Sequence, residues 1–282
     1  MKWQAEGIWE AVVPTLENFT VEILPEIDST NSELMRRARA GQLDPILLVA
    51  ERQTAGRGRL GRSWYSGGTQ ADGTPTDGAP ALTFSLGLQL VPQSWAGLSL
   101  AVGISVAQSL HPELRLKWPN DIWLNDRKLG GILIETVAST SKATAHEQRY
   151  AVIGIGINIG PREATGLSTA PAWLQELQPG MDAAMALQRI VKPLVQAVQT
   201  FARAGFAPFQ APFAALDLLQ GRAVSLSDGT TTGQALGVDA AGGLRVKLAS
   251  GAVQTVTSAE VSVRPLAASL PFNDPAPAPV RA

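Results

Sequence analysis

The chain has 282 residues, 45% of them hydrophobic, with 23 basic and 24 acidic side chains and a formal net charge of −1. That is the make-up of a folded protein with a sizeable core, and it argues against a general nucleic-acid binder, which is basic overall. There is no cysteine, which excludes thiol nucleophiles, disulfides and cysteine-ligated zinc. The two histidines, His111 and His146, lack ligand spacing, and no apolar run nears the ~18 residues a bilayer span needs. The segment from Met1 to Pro25 has no signal-peptide core, so a cytoplasmic location is the expectation.

In chain order, Ile8, Trp9, Val12 and Val13 form a weak amphipathic pattern, and Val21 to Leu24 reads as a strand. Thr30 followed by Glu33 predicts a capping box, opening a helix through Leu34, Met35 and Ala38 that ends near Gly41. A single cap does not need two adjacent hydroxyls and an amide, so Ser29, Thr30 and Asn31 are also candidates to hold a polar ligand at that helix end. Ile46 to Ala50 reads as a buried strand, followed by Glu51 to Arg62 with four arginines and three glycines. Glycine lets backbone N–H groups approach a ligand, and arginine brings a planar, permanently charged fork, so this stretch reads as an anion clamp.

Gly67 to Pro80 reads as a long surface loop and Leu82 to Leu88 as a strand. Ser94 is predicted to cap a core helix running to Leu110. Leu114 to Glu135 predicts a hairpin of short strands with Lys117, Asn120, Asp121, Lys128 and Gly130-Gly131 bunched at one end. Ala151 to Gly160 predicts a buried strand whose glycines let a ligand or another strand lie against it, with Asn158 as a polar contact. A dinucleotide fingerprint would need glycine where Ile159 stands, so a Rossmann site is rejected. Residues 171–220 are predicted helical, with Met185, Leu187, Ile190, Val191, Leu194, Val195 and Val198 in the core. Five short β runs from Ala223 to Val263 predict a small barrel, and the proline- and alanine-rich tail from Leu270 predicts disorder.

Ser29-Thr30-Asn31, Gln53 to Arg59, Lys117 to Asp121, Arg127 to Gly131 and Gly154 to Asn158, taken in this order and spacing, resemble the motifs of the biotin protein ligases. The resemblance runs from Ile27 to Arg264. It implies an α+β fold, with a mixed sheet and flanking helices like a class II aminoacyl-tRNA synthetase, followed by an SH3-like barrel. The implied division is a ligase domain over 1–219, a barrel over 220–268 and a tail over 269–282. It also implies that biotin and MgATP give biotinyl-5′-AMP and pyrophosphate, and that biotin then passes to a lysine of a biotin carboxyl carrier domain.

By the same resemblance, Ser29, Thr30, Asn31, Gln53, Gly56 and Gly130 hold biotin, and Arg57, Gly58 and Arg59 close over it and the phosphate. Lys128 lies near the biotin carboxylate and, with Arg57, takes the catalytic part. Trp64, Lys117, Asn120, Asn158 and Arg264 join Arg59 in binding ATP, with Glu260 linked to ATP use and carrier engagement. From its own chemistry, Asp121 is a candidate contact for Mg²⁺, and no permanently bound cofactor is expected. Residues 1–28 are too short for the winged helix of the bifunctional members, so no DNA partner is expected, nor a membrane one. The oligomeric state, a homodimer included, is left open. The rival readings are a lipoate or octanoate ligase of similar fold and a non-catalytic nucleotide- or RNA-binding module using the arginine loop.

Overall fold

The computed structural model describes residues 3–65, 81–138, 148–162, 169–226, 232–257 and 263–265, the last three by backbone alone. The loop Gly67 to Pro80, Glu260 and the tail from Leu270 lie outside the described residues.

Helix α1 (Ala5–Val12) precedes β1 (Thr20–Ile27), α2 (Thr30–Arg39), β2 (Ile46–Gln53), β3 (Ala81–Leu90) and α3 (Leu98–Leu110). Three strands follow, β4 (Arg115–Lys117), β5 (Asp121–Leu124) and β6 (Arg127–Ala138), then β7 (Arg149–Asn158), α4 (Ala183–Ala204) and α5 (Gln210–Leu216). They form a seven-stranded sheet in the order β1-β2-β3-β7-β6-β5-β4, mixed because β1 and β2 run parallel while the other neighbours are antiparallel. The predicted hairpin is therefore a three-stranded meander, with β5 between the strands of Lys117 and Lys128.

Strand periodicity sends alternate side chains to opposite faces. Leu47, Val49, Phe84, Leu86, Ile153, Ile155 and Ile157 pack with α3 and α4 in the main core. Leu48, Tyr150 and Val152 pack under Leu34, Met35 and Ala38 of α2 on the other face. Beyond α2 that second face changes character. The positions in step with Tyr150 and Val152 along β7 are Gly154, Gly156 and Asn158, so glycine replaces the apolar cover and the sheet becomes a floor.

The remaining strands, β8 (Ala223–Leu226), β9 (Thr232–Val238), β10 (Leu244–Leu248), β11 (Val253–Val256) and β12 (Val263–Pro265), make a small antiparallel sheet in the order β11-β10-β9-β8-β12. It suits a small SH3-like domain, but among the described residues β11 and β12 do not pair, so the expected barrel is not closed. Its turn at Asp239–Gly243 is anchored to the large sheet: the fully buried Trp118 indole donates to the Gly242 carbonyl at 3.0 Å. A Cβ on Gly242, whose φ is +81°, would come within 2.9 Å of Gly97 Cα.

Three local expectations change. The cap of α2 is Ser29, whose Oγ accepts from Ser32 N, because the Thr30 hydroxyl is turned to Gln53. Glu33 is drawn to Arg36 and Arg37 instead of closing a capping box. Gly97, not Ser94, precedes α3, while the Ser94 hydroxyl accepts from Ala96 N. Met185 is exposed, since it sits two residues, roughly 200°, around α4 from the buried Leu187.

Helix α2 is tied down by a charge network in which Arg36 meets Asp28 and Glu33, and Arg37 meets Glu22 and Glu33. Hydrogen bonds from Arg37 to Glu22 and Glu33, and from Arg36 to Asp28, hold all three carboxyls below their ordinary values of 4.5 and 3.8. Depressed folded pKa values contribute stability that is complete above the unfolded values and is lost as pH falls through the folded ones. The melting temperature should therefore be flat from pH 7 to about 5 and fall below about 4. Arg37→Ala should flatten that fall, and an identical acid slope in the variant would remove the network from the account.

Candidate functional site

The glycine floor lies beneath a cavity of about 580 Å³ lined from α2, the arginine loop, β3, the β4–β6 meander and β7. Asp121 is the single carboxylate among the described lining residues, against the cations Arg57, Arg59, Arg62, Lys117, Lys128 and Arg162. The cavity therefore suits anions.

At one end, Ser29, Thr30 and Asn31 are buried at the N-terminus of α2. Thr30 donates from its backbone N–H to Gln53 Oε1 at 2.8 Å, and its hydroxyl is 3.2 Å from the same oxygen. Ser85 on β3, fully buried, lies 2.7 Å from both Thr30 Oγ1 and Asn31 Oδ1. Asn31 Nδ2 donates to the Leu133 carbonyl and Glu135 Oε2. Its carboxamide rests on Gly154, where a Cβ would come within 2.0 Å of Oδ1. Ser29 supplies the cap, leaving Thr30, Asn31, Ser85 and Gln53 as a fixed polar set beside it.

The arginine loop is a small hairpin of its own. Trp64 N donates to Gly56 O at 2.8 Å, Gly58 N to Arg62 O at 2.7 Å, and Arg57 and Ser63 form a β-bridge. Its tip turns at Leu60 and Gly61, both at positive φ. Arg57 forks onto Glu135 at 3.0 and 3.2 Å, and Arg59 NH1 donates to Asn120 Oδ1 at 3.1 Å. Burial pushes the Arg59 guanidinium down, opposed by the charge of Asp121. The arms of the predicted clamp thus already hold protein oxygens.

Trp64 leaves the loop and lies on Gly156, where a Cβ would meet its indole at 2.3 Å. Its indole nitrogen is buried and has no hydrogen-bond partner among the described residues. Arg162 packs on the same ring, 5.6 Å from its centroid, and donates to Asn158 Oδ1. Asn158 in turn donates to Ala172 O at 2.8 Å and Lys128 O at 3.3 Å, locking the end of β7 to β6.

The meander brings the other polar groups. Asn120 and Ile132 exchange hydrogen bonds at 2.8 and 3.0 Å, fixing the turn that follows the cis Trp118–Pro119 bond. Lys128 Nζ pairs with Asp121 Oδ1 at 2.7 Å, and Lys117 Nζ lies 5.2 Å from the Trp123 ring centroid.

Ser29, Thr30, Asn31, Gln53, Arg57, Gly58, Arg59, Trp64, Lys117, Asn120, Asp121, Lys128 and Asn158 thus line one cavity. Gly56 and Gly130 do not line it. Gly56 is pressed against the Trp64 carbonyl and Gly130 against the Gly156 carbonyl, so both serve backbone packing, and Gly131 takes the lining position. Arg264 lies in β12 opposite Ser225. The sequence reading passed over Ser85, Glu135 and Arg162, and the two floor glycines carry Asn31 and Trp64 instead of a ligand or strand.

Residues 24–158 match the biotin/lipoate A/B protein ligase family, and residues 221–264 match the biotin protein ligase C-terminal domain. The chain is 33% identical over 262 residues to the bifunctional ligase/repressor BirA of Escherichia coli strain K12, covering 90% of this chain and 77% of that one. It is 30% identical over 253 residues to the biotin–[acetyl-CoA-carboxylase] ligase of Paracoccus denitrificans, covering 85% of this chain and 98% of that one. Among solved structures it is similar to the biotin protein ligase of Aquifex aeolicus in complex with biotin and ATP, at 28% identity and a TM-score of 0.67, covering 87% of this chain and 99% of that one. A two-part match in the same order, with near-complete coverage of a relative, leaves one assignment: the chain belongs to the biotin protein ligases of the biotin/lipoate A/B protein ligase family.

Proposed function

We propose that this chain activates biotin with ATP and transfers it to a lysine of a biotin carboxyl carrier domain. A carboxylate oxygen of biotin attacks the α-phosphorus of ATP, a C–O–P mixed anhydride forms, and pyrophosphate leaves. The carrier lysine's neutral amine then attacks the acyl carbon, forming an amide and releasing AMP. The observation that carries this reading is one shared cavity, with its uncharged set at α2 and, away from it, Arg59, Lys128 and Arg162 held at Asn120, Asp121 and Asn158.

The Thr30, Asn31, Ser85 and Gln53 set offers donors and acceptors in fixed directions, as an uncharged polar ring such as biotin's ureido group requires. We assign Lys128, which lines the cavity beside Asp121, to the meeting point of the biotin carboxylate and the α-phosphate. Preorganised cations stabilise charge developing on phosphoryl oxygens without reorganising in the transition state. No covalent enzyme intermediate is needed, because the carboxylate is the nucleophile and the site works by positioning. Arg57 and Arg59 exchange Glu135 and Asn120 for ligand oxygens, and the loop then shields the anhydride from water.

Among the described residues no three metal-ligating groups cluster. One carboxylate, Asp121, fits Mg²⁺ carried in on ATP, since that ion is held by one or two carboxylates together with the phosphates. Bound there, it would neutralise phosphate charge. We also assign Arg264 and Glu260 to nucleotide use, and divide the ligase part from the small sheet at residue 220. Gly221, at positive φ, opens the segment that matches the C-terminal domain.

Pyrophosphate release with purified chain, MgATP and biotin, run beside lipoate, tests the reading. Release with biotin, followed by label on a carrier lysine, is expected. Release with lipoate alone would overturn the substrate, and release with neither would overturn the activity.

A further inference from the structure

Arg162 differs from Arg57 and Lys128 among the cations of the cavity. It follows β7, lines the cavity, and is held by two uncharged neighbours, the Asn158 amide oxygen and the Trp64 ring. Arg57 and Lys128, by contrast, each have a carboxylate. Among the described residues no carboxylate pairs with Arg162, and burial pushes its guanidinium below the usual arginine value. A desolvated charge without a counter-charge is costly, and a built site keeps one where an anion arrives to neutralise it.

Position tells which anion. Asn31 rests on Gly154, Trp64 on Gly156, and Arg162 hydrogen-bonds Asn158, three successive positions on one face of β7. At roughly 3.3 Å per residue, the Asn158 end is about 13 Å from the Asn31 end. A guanidinium there is remote from the uncharged polar set and belongs to the nucleotide half. Its planar fork matches phosphate oxygens, and its face suits the indole beside it.

We propose that Arg162 is a further ATP-binding residue that engages an anionic oxygen of the triphosphate. The proposal rests on the ligase reading for its place in the reaction, but the binding it describes is measurable without that reading. On phosphate binding, Arg162 exchanges the neutral Asn158 oxygen for a charged one. The cost of its burial in the free protein then becomes a preference for phosphorylated over unphosphorylated nucleoside.

The test is calorimetric binding of a non-hydrolysable ATP analogue and of adenosine to the full chain, its Arg162→Gln and its Arg162→Lys variants. Glutamine keeps an amide against Asn158 and Trp64 but no charge. A hydrogen bond between charged partners supports an expected loss of tenfold or more in analogue affinity for Arg162→Gln. Adenosine affinity should stay within about twofold, and Arg162→Lys should recover part of the analogue affinity because it restores a point charge. In pyrophosphate release, Arg162→Gln should raise KM for ATP and leave KM for biotin unchanged. Equal loss of adenosine and analogue affinity would make Arg162 a prop for Trp64 and overturn the proposal, as would unchanged analogue affinity. If the wild-type chain binds the analogue but releases no pyrophosphate with biotin, the ligase reading falls while the binding comparison still decides the role of Arg162.

Discussion

Lys128→Ala should slow adenylate formation by about 10²–10³, the loss expected when one preorganised donor to developing phosphoryl charge is removed. The structure gives the change two consequences. The donor is lost, and Asp121 loses the ion-pair partner it holds at 2.7 Å where two anions must meet. Folding should be nearly untouched, because β6 is held here by the Lys128 backbone, whose N–H donates to Ala170 O and whose carbonyl accepts from Ala172 N. A partly exposed ion pair is itself worth only about 0–1 kcal/mol. Single-turnover pyrophosphate release measures the effect, and a loss smaller than about threefold would remove Lys128 from the mechanism.

Gly154→Ala should damage the other end of the cavity. The added Cβ would stand 2.0 Å from Asn31 Oδ1 and 2.8 Å from its carboxamide carbon. Asn31 cannot simply swing away, since it is fixed by Ser85, the Leu133 carbonyl and Glu135 at the buried end of α2. Relief requires α2 to lift or the Asn31–Ser85 contact to break. Overpacking of this kind costs about 1–3 kcal/mol, and if that strain is felt at the subsite biotin affinity should fall by about five- to 150-fold. Gly180→Ala, where a Cβ meets nothing within 4 Å, is the control. Biotin titration of both variants, each checked by its melting temperature, decides the point. Wild-type affinity in Gly154→Ala would mean that the Asn31 contact does not shape the biotin subsite.

Much of the fold is legible in the sequence, because its signals are local. The helical spacing of Leu187, Ile190, Leu194 and Val198 and the apolar run of β2 each predict their own element. Ser29-Thr30-Asn31 and the arginine loop carry their chemistry within a few adjacent residues. The residues that escaped depend on register. Ser85 lies in a strand of ordinary appearance and becomes a bridge between Thr30 and Asn31 because β3 pairs it with Gly154. Glu135 acquires Arg57 from 78 positions away, and Arg162 acquires Trp64 only once the loop has folded over Gly156. Even the cap of α2 was misjudged by one residue, because the Thr30 hydroxyl is claimed by Gln53, 23 positions on. The glycines of β7 did signal a close approach, though not the side chains that make it.

The anchoring of the Asp239–Gly243 turn has a bearing on how such a protein can change over time. Gly97, Trp118 and Gly242 belong to three separate stretches of the chain, yet they meet at one point behind the turn that carries Asn120 and Asp121. A bulkier residue at 242 strikes Gly97, and a smaller one at 118 leaves the Gly242 carbonyl without its indole donor. Substitutions at these positions are therefore not independent. A C-terminal segment with a side chain at 242 would fit only if the backbone at Gly97 moved to make room for it.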